Sequence, residues 1–254
     1  MRDLRTIIGS KASTAIKINS LFVPANSIAQ HLARYCEPAL FHTDSMPEYS
    51  LTKSGSLFRA KFSGRYFAIV TAHQIAGGSY DYDQLCIHNE STNRLLTSHQ
   101  AIFPISEEQD FDCMLFEFTD VVNSGKLKKS DWYELRHDIS SGIIPSAAMV
   151  CAIGYPGFRN SIDYEAKNYA KSPNVVWGKE TRPRMQRRLS LVPDPEISFD
   201  PAGMSGGPVF GFRLESHSPE VFLAGIIANA SNAVFNFMPL TRIRRAIEQF
   251  IDRS

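Results

Sequence analysis

The chain is written in short apolar runs broken by turn residues, not in long helical periods, and this pattern sets the fold class before any motif is considered. Ten segments read as strands: Thr14–Val23, Ser56–Phe62, Tyr66–Thr71, Gln84–His88, Asp112–Phe118, Ala148–Ile153, Glu196–Phe199, Pro208–Phe212, Val221–Ala228 and Val234–Met238. Gly, Pro, Asn, Ser and Asp separate them, which is the turn chemistry expected between strands. Phe62-Ser63-Gly64-Arg65-Tyr66 reads as a tight hairpin. Two segments carry helical signals. Ser27–Tyr35 is short, with Asn26 or Ser27 as its cap. Thr241–Ile251 is stronger, because Ile243, Ile247, Phe250 and Ile251 recur at i, i+4, i+7 and i+8 and Thr241 stands where a cap belongs. The expectation is an all-β sandwich or barrel, with the terminal helix as a lid on one barrel.

A length of 254 residues allows one large domain or two small ones. Hydrophobic residues at 43% and charged residues at 21% suffice for a core and exclude wholesale disorder. Lys and Arg number 27 against 26 Asp and Glu, so the chain has no global field to hold nucleic acid or an anionic membrane. No apolar run approaches the ~18 residues of a membrane-spanning helix. The N-terminal apolar stretches are broken by Lys11 and Lys17, which is not a signal-peptide core, so the expected compartment is the cytoplasm. Cys36, Cys86, Cys113 and Cys151 are too scattered for a disulfide framework or a metal knuckle and read as free buried thiols. His31, His42, His88, His99, His137 and His217 form no HExxH-like pattern, so no metal or other cofactor is expected.

The most informative stretch is Asp200-Pro-Ala-Gly-Met-Ser-Gly-Gly-Pro-Val-Phe210, in which three glycines surround Ser205. Glycine permits positive φ and close backbone approach, so such a turn can expose a hydroxyl and aim nearby N–H groups at one spot. Acyl transfer needs that arrangement of nucleophile and oxyanion donors, and the N–H groups of Gly203 and Ser205 are the expected donors. By itself the stretch reads equally well as an ordinary Gly-rich turn or a phosphate cradle. Upstream, an apolar strand runs from Tyr66 into His73, and an imidazole is the side chain suited to carry a hydroxyl's proton. A third segment, Asp110-Phe-Asp112-Cys-Met-Leu-Phe116, opens an apolar run with a carboxylate that can orient and charge-balance an imidazole.

The order His73, Asp112, Ser205, with these local sequences, resembles the trypsin/chymotrypsin-like serine peptidases. Thr71-Ala72-His73 is similar to the family's histidine motif, Asp112 with its apolar run to its aspartate strand, and Gly203-Met-Ser205-Gly-Gly-Pro-Val209 to its serine motif. Ile153-Gly-Tyr-Pro-Gly157 looks like a turn of the bacterial members, and Ala224-Gly-Ile-Ile227 like the strand that flanks the substrate backbone. The resemblance covers roughly Ser54 to Ile247. It implies two antiparallel β-barrels of the chymotrypsin type with the site in the cleft between them, and a C-terminal helix. The expected layout is an N-terminal segment over 1–53 with a first strand and short helix, a first barrel over 54–125 carrying His73 and Asp112, and a connection over 126–145. A second barrel over 146–238 carries Ser205, and the helix fills 239–254. The implied activity is a serine endopeptidase acting on a polypeptide, with a regulatory protein partner as a further expectation. The contrasting expectation is a peptidase fold that is catalytically idle, or latent until a partner binds.

Some residues depart from the family or compete within it. Asp110 competes with Asp112, since both would point the same way along a strand; Asp112 is preferred because it directly precedes Cys113-Met114-Leu115-Phe116, as in the family. The G-x-S-x-G of α/β-hydrolases also fits, but that fold orders its residues Ser, acid, His, and too little chain follows Ser205. Met204 stands where digestive members carry the aspartate that pairs with a newly cut N-terminus, and Ile7-Ile8-Gly9-Ser10 therefore has no partner for that role. The chain is expected to be active without processing. Phe199 occupies the position of the specificity aspartate, with Asp200 one residue away; Ala228, Asn229 and Ala230 would line the pocket walls. Arg182, Arg184, Arg187 and Arg188 read as a solvated loop, with an acidic substrate or partner as the alternative.

Overall fold

The computed structural model describes residues 15–42, 51–76, 84–102, 111–135, 149–165, 168–181, 188–215 and 218–252. The chain runs β1 (Ala15–Ile18), β2 (Leu21–Pro24), α1 (Ile28–Ala33), β3 (Cys36–His42), β4 (Leu51–Phe62), β5 (Arg65–Val70) and α2 (His73–Ala76). It continues through β6 (Leu85–Asn89), β7 (Arg94–Thr97), β8 (Gln100–Ile102), β9 (Met114–Glu117), α3 (Thr119–Asn123) and β10 (Tyr133–Glu134). The remainder is β11 (Met149–Gly154), β12 (Ser161–Asp163), β13 (Asn168–Ala170), β14 (Asn174–Thr181), β15 (Leu189–Pro193), β16 (Pro208–Glu215), β17 (Ser218–Ala230), β18 (Phe235–Pro239) and α4 (Leu240–Ile251).

The fold is all-β with a short C-terminal helix, in two units. In the second unit the order β16-β11-β14-β15-β18-β17 closes on itself through the antiparallel β16–β17 pair, giving a six-stranded barrel. The β1–β2 hairpin extends β17 by a parallel pairing, Lys17 to Glu220. The first unit has the order β7-β6-β3-β4-β5-β9-β8, with β10 beside β4, and forms a half-barrel that stays open between β7 and β8.

Three apolar clusters explain why the central strands read as unbroken apolar runs. Along β5, Ala68 and Val70 point into the half-barrel while Phe67 and Ile69 point outward into a layer shared by both units. Along β11, Val150 and Ala152 fill the closed barrel while Cys151 and Ile153 face the same shared layer. Successive side chains alternate faces, so a strand buried on both sides loses its polar alternation. Rings stitch the layer: Phe58 and Tyr133 of the first unit pack against Phe210 of the second at 6.3 and 5.4 Å.

Several sequence expectations are corrected here. The N-terminal segment read as one strand through Val23 is a hairpin that turns at Asn19, whose φ is 51°. Glu196–Phe199 forms no ladder; it leads from β15 past Pro195 toward the serine turn and lies exposed or half-exposed. Helix α4 is not a lid on one barrel. Ile243 and Ile247 sink into the shared layer, Phe250 meets Phe67 of the half-barrel edge-on at 6.2 Å, and the Arg65 guanidinium lies 4.5 Å over the Phe250 ring. Pro239, not Thr241, precedes the first turn of α4, and no side chain caps it; α1 likewise starts without a side-chain cap. The N-terminal segment also holds β3, a central strand of the first sheet.

Candidate active site

Strands β5 and β9 are antiparallel neighbours with Val70 opposite Met114. That register brings the residues just beyond their ends, His73 at the start of α2 and Asp112 ahead of β9, side by side. Asp112 grips His73 twice: the His73 main-chain N–H donates to Oδ1 at 3.0 Å, and Nδ1 meets Oδ2 at 2.7 Å. A carboxylate only accepts, so Nδ1 carries a proton, and in the neutral imidazole this tautomer leaves the lone pair on Nε2. The His73 side chain is half exposed, while that of Asp112 is largely covered. Burial pushes the Asp112 carboxyl up, but both His73 hydrogen bonds, the His73 charge and that of Arg188 outweigh it and hold the carboxyl below its ordinary value. Asp110 lies outside the described residues, as do Arg182, Arg184 and Arg187 of the basic cluster and the Ile7–Ser10 stretch.

Ser205 sits in the turn that feeds β16. Gly203 takes φ +95° and Gly206 φ +84°. At Gly206 a Cβ would also collide with the Ser56 carbonyl, so both the dihedral and the space demand glycine. The turn's carbonyls face inward and are occupied. Gly203 O accepts from Ser56 Oγ at 2.8 Å, Met204 O from the Gly207 N–H at 3.1 Å, and Ser205 O from the Ser56 N–H at 2.9 Å. The N–H groups of Gly203 and Ser205 find no acceptor among the described residues. These are the two donors proposed from the sequence, and they stand unspent on one short turn. Met204 is fully buried in the closed-barrel core, an apolar anchor for the same turn.

The Ser205 hydroxyl points at the Ala228 carbonyl, 3.4 Å away. Ala228 is the unpaired residue of a bulge in β17, between the pairs Ile227–Phe237 and Asn229–Asn236, and the bulge turns its carbonyl toward the serine. No hydrogen bond joins Ser205 Oγ to His73; among the described residues Nε2 has only the Thr71 hydroxyl oxygen at 3.5 Å. Histidine and aspartate are thus brought together, and the serine stands beside Ala228 without the direct bond to the imidazole.

Of the expected pocket residues, Ala228 is at the serine and Asn229 follows it, exposed, with its amide oxygen accepting from Asn236 at 2.8 Å. Phe199 packs on Phe158 with ring centres 5.4 Å apart and on the closed-barrel core. Asp200 is exposed and spends its carboxylate on the Ala202 N–H at 3.0 Å. That contact turns Asp200 toward its own loop.

Sequence reasoning missed the residues that support this turn. Ser56 Oγ, which donates to Gly203 O, itself accepts from the Tyr155 N–H at 2.8 Å. Lys53 crosses from β4 to the Tyr155 carbonyl at 2.5 Å, and burial, partly opposed by nearby Cys36, lowers its ammonium to about 8. Gln74, next to His73, carries no motif of its own. Serine and glutamine in a strand and a helical turn carry no signature of such roles. Among the described residues no cluster of His, Cys, Asp and Glu is placed to hold a metal ion, and no helix is long and apolar enough to cross a membrane. No family model and no curated protein matches the chain.

Proposed function

We propose that the chain is a serine endopeptidase. Ser205 Oγ attacks a peptide carbonyl as His73 Nε2 takes its proton. The N–H groups of Gly203 and Ser205 hold the tetrahedral oxyanion. His73 then gives the proton to the leaving amine, and water clears the acyl-enzyme by the same steps in reverse. Asp112 holds the imidazole in the tautomer that leaves Nε2 basic and stabilises the imidazolium that forms. The observation that carries this reading is the bidentate grip of Asp112 on His73, at 3.0 and 2.7 Å, in one molecule with a Gly-rich serine turn whose two N–H groups are free. The reading requires the Ser205 hydroxyl, now directed at the Ala228 carbonyl, to meet His73 Nε2 when substrate binds; apo sites often carry this bond long or unformed.

A second reading draws on the bond that is not made: a peptidase fold that stays latent until a partner moves Ser205 and His73 together. An alkyl fluorophosphonate separates the two. The active-enzyme reading expects fast labelling of the pure chain, with the adduct on Ser205 and none on Ser205→Ala, and Ser205-dependent cleavage in a peptide-library digest. Slow labelling that accelerates with cell lysate would favour the latent reading. A pure chain that neither labels nor cleaves, with or without lysate, would overturn both.

A further inference from the structure

Gln74 is buried in the cleft between the two units and uses its whole amide. Its Oε1 accepts from the Thr71 N–H at 2.7 Å and the Thr71 hydroxyl at 2.8 Å. Its two Nε2 protons are shared among three carbonyls, those of Ser54 at 2.5 Å, Ser56 at 2.9 Å and Ser205 at 3.1 Å. Four segments therefore meet on one side chain: the end of β5, both sides of a kink in β4, the α2 turn that begins with His73, and the serine turn of the closed barrel. The backbone is shaped to admit it. In β4 the register against β3 slips at Ser54-Gly55, where Gly55 takes φ +92° and any Cβ would strike Gln74 Nε2. A Cβ at Gly206 would likewise press on Gln74 Oε1. No thiol pair performs this task, since the four cysteines are free.

We infer that Gln74 is the positioning residue that sets the serine turn in register with His73, an inference that rests on the peptidase reading above. The side chain following the histidine holds the carbonyl of the nucleophilic serine, so base and nucleophile share a single tether. Fixing that carbonyl inward, together with Ser56, fixes the peptide that follows Ser205, while the peptide that carries the Ser205 N–H is held by the Gly207 N–H on Met204 O at 3.1 Å. The same amide holds Thr71 away from His73: the Thr71 hydroxyl gives its proton to Gln74, so it does not donate to Nε2 and leaves that lone pair for Ser205. Gln74 itself touches no substrate.

The test uses fluorophosphonate labelling of the full chain, and three variants. Gln74→Met keeps the volume and removes every hydrogen bond. Gln74→Glu replaces the donors by a carboxylate facing three carbonyl oxygens, a site that raises its pKa; once protonated, it regains one O–H donor. Val122→Ala, in the half-barrel core on α3 and away from the site, serves as the destabilised control. All are compared well below their melting temperatures. Gln74→Met is expected to label about 100-fold more slowly than the unmodified chain, as for loss of one oxyanion donor, while Val122→Ala labels normally. For Gln74→Glu, the labelling rate divided by that of the unmodified chain is expected to rise about tenfold from pH 9 to pH 6 as the carboxyl protonates. If both Gln74 variants label within twofold of Val122→Ala and the ratio is flat with pH, Gln74 only supports the fold and the inference fails. Where Gln74→Met does not fold, the pH ratio of Gln74→Glu decides alone. An unmodified chain that does not label at all sinks the peptidase reading, and this inference with it; an unmodified chain that labels while the Gln74 variants keep pace sinks this inference only.

Discussion

The two halves of the molecule solve the same problem differently. The Ser205 half is a ring: six strands close through the β16–β17 pair, and the turn that presents Ser205 is anchored by buried Met204. The His73 half is open and ends in a four-residue and a three-residue strand, β7 and β8. It also buries more polar side chains among its described residues: Ser56, Arg59, Thr71, Gln74 and Glu117. Short edge strands limit mispairing, and a sheet with ends opens more readily than a ring. The part of the site that depends on backbone direction, two free N–H groups on a tight turn, sits on the closed unit. The part that depends on side-chain orientation, the His73–Asp112 pair, sits on the open one. The division predicts that function is lost through the half-barrel before it is lost through the barrel.

The largest expected effect lies in the open half. Asp112→Asn should slow fluorophosphonate labelling by about 10³–10⁴-fold when compared well below its melting temperature, because an amide in place of the carboxylate favours the wrong imidazole tautomer. Asp110→Asn should leave the rate near that of the unmodified chain. Equal rates for Asp112→Asn and the unmodified chain would remove the acid from the site and leave the closed half to act without an oriented base.

That pair of carboxylates also shows what was legible in the sequence. The strands buried on both faces, β5, β9 and β11, were read from their apolar runs, and the turn at Ser205 from its glycines, because those signals are local. Strand β3 was missed, since Glu37 and Pro38 interrupt its apolar pattern; Pro38 sits where the ladder against β4 slips and Glu37 is held by Arg59 at 3.1 Å. Strands β14 and β15, on either side of the Arg-rich segment, are not among the ten segments read as strands. Gln74 was invisible as a hub because its partners come from Ser54, Ser56, Thr71 and Ser205, and only Thr71 is a sequence neighbour. Spacing reveals residues that share an element; it does not reveal a side chain on which four elements converge.

Core substitutions sharpen the comparison next. Phe116→Ala in the half-barrel and Phe237→Ala in the closed barrel each remove a fully buried ring and should each cost about 3–5 kcal/mol. Their reach should differ. Phe116→Ala should speed amide exchange on β5 and β9 and slow labelling, while β16 to β18 stay protected. Phe237→Ala should speed exchange in both units, since the half-barrel leans on the closed one through the shared layer of Phe58, Tyr133 and Phe210. Exchange confined to the closed unit in Phe237→Ala would show that the half-barrel stands without it.

Both ends of the pH scale should act on the same half. Burial raises all four thiols, Cys86 to about 11, with Cys36, Cys113 and Cys151 also pushed up. A raised folded value means stability that is complete below the unfolded pKa near ~8.5 and is lost as pH climbs toward the folded value, by about 1.4 kcal/mol per pH unit per thiol. Cys36 and Cys86 lie on strands of the half-barrel and Cys113 just ahead of β9; only Cys151 lies in the closed barrel. In acid the sign reverses. For Asp112, and for Glu117 bound to Arg65 at 2.7 and 2.6 Å, burial raises the carboxyl but hydrogen bonds and neighbouring charge lower it further. Their contribution is present above the unfolded value near ~4 and is lost as pH falls through the depressed one. Urea midpoints between pH 3 and 10 should therefore fall at both ends, and Cys86→Ala should blunt the alkaline fall. An alkaline fall unchanged in that variant would take Cys86 out of the account.

The smallest effects belong to the rims, where the two halves should become alike. Phe22 on β2 and Leu95 on β7 are large apolar residues at 63% and 37% exposure, each on the outermost strand of its sheet. Their neighbours in sequence face inward: Val23 is in the shared layer and Leu96 packs on the half-barrel core. One strand therefore carries a residue that matters beside one that does not. Phe22→Ser and Leu95→Ser should each change the unfolding free energy measured in urea by less than about 0.5 kcal/mol, whereas Val23→Ser should cost about 2 kcal/mol for the lost apolar burial and the buried hydroxyl. A cost for Phe22→Ser as large as for Val23→Ser would mean that the β1–β2 hairpin is covered in solution. The closed unit would then have a contact surface that the open one lacks, and the molecular mass in solution at several concentrations would show whether a second copy supplies the cover.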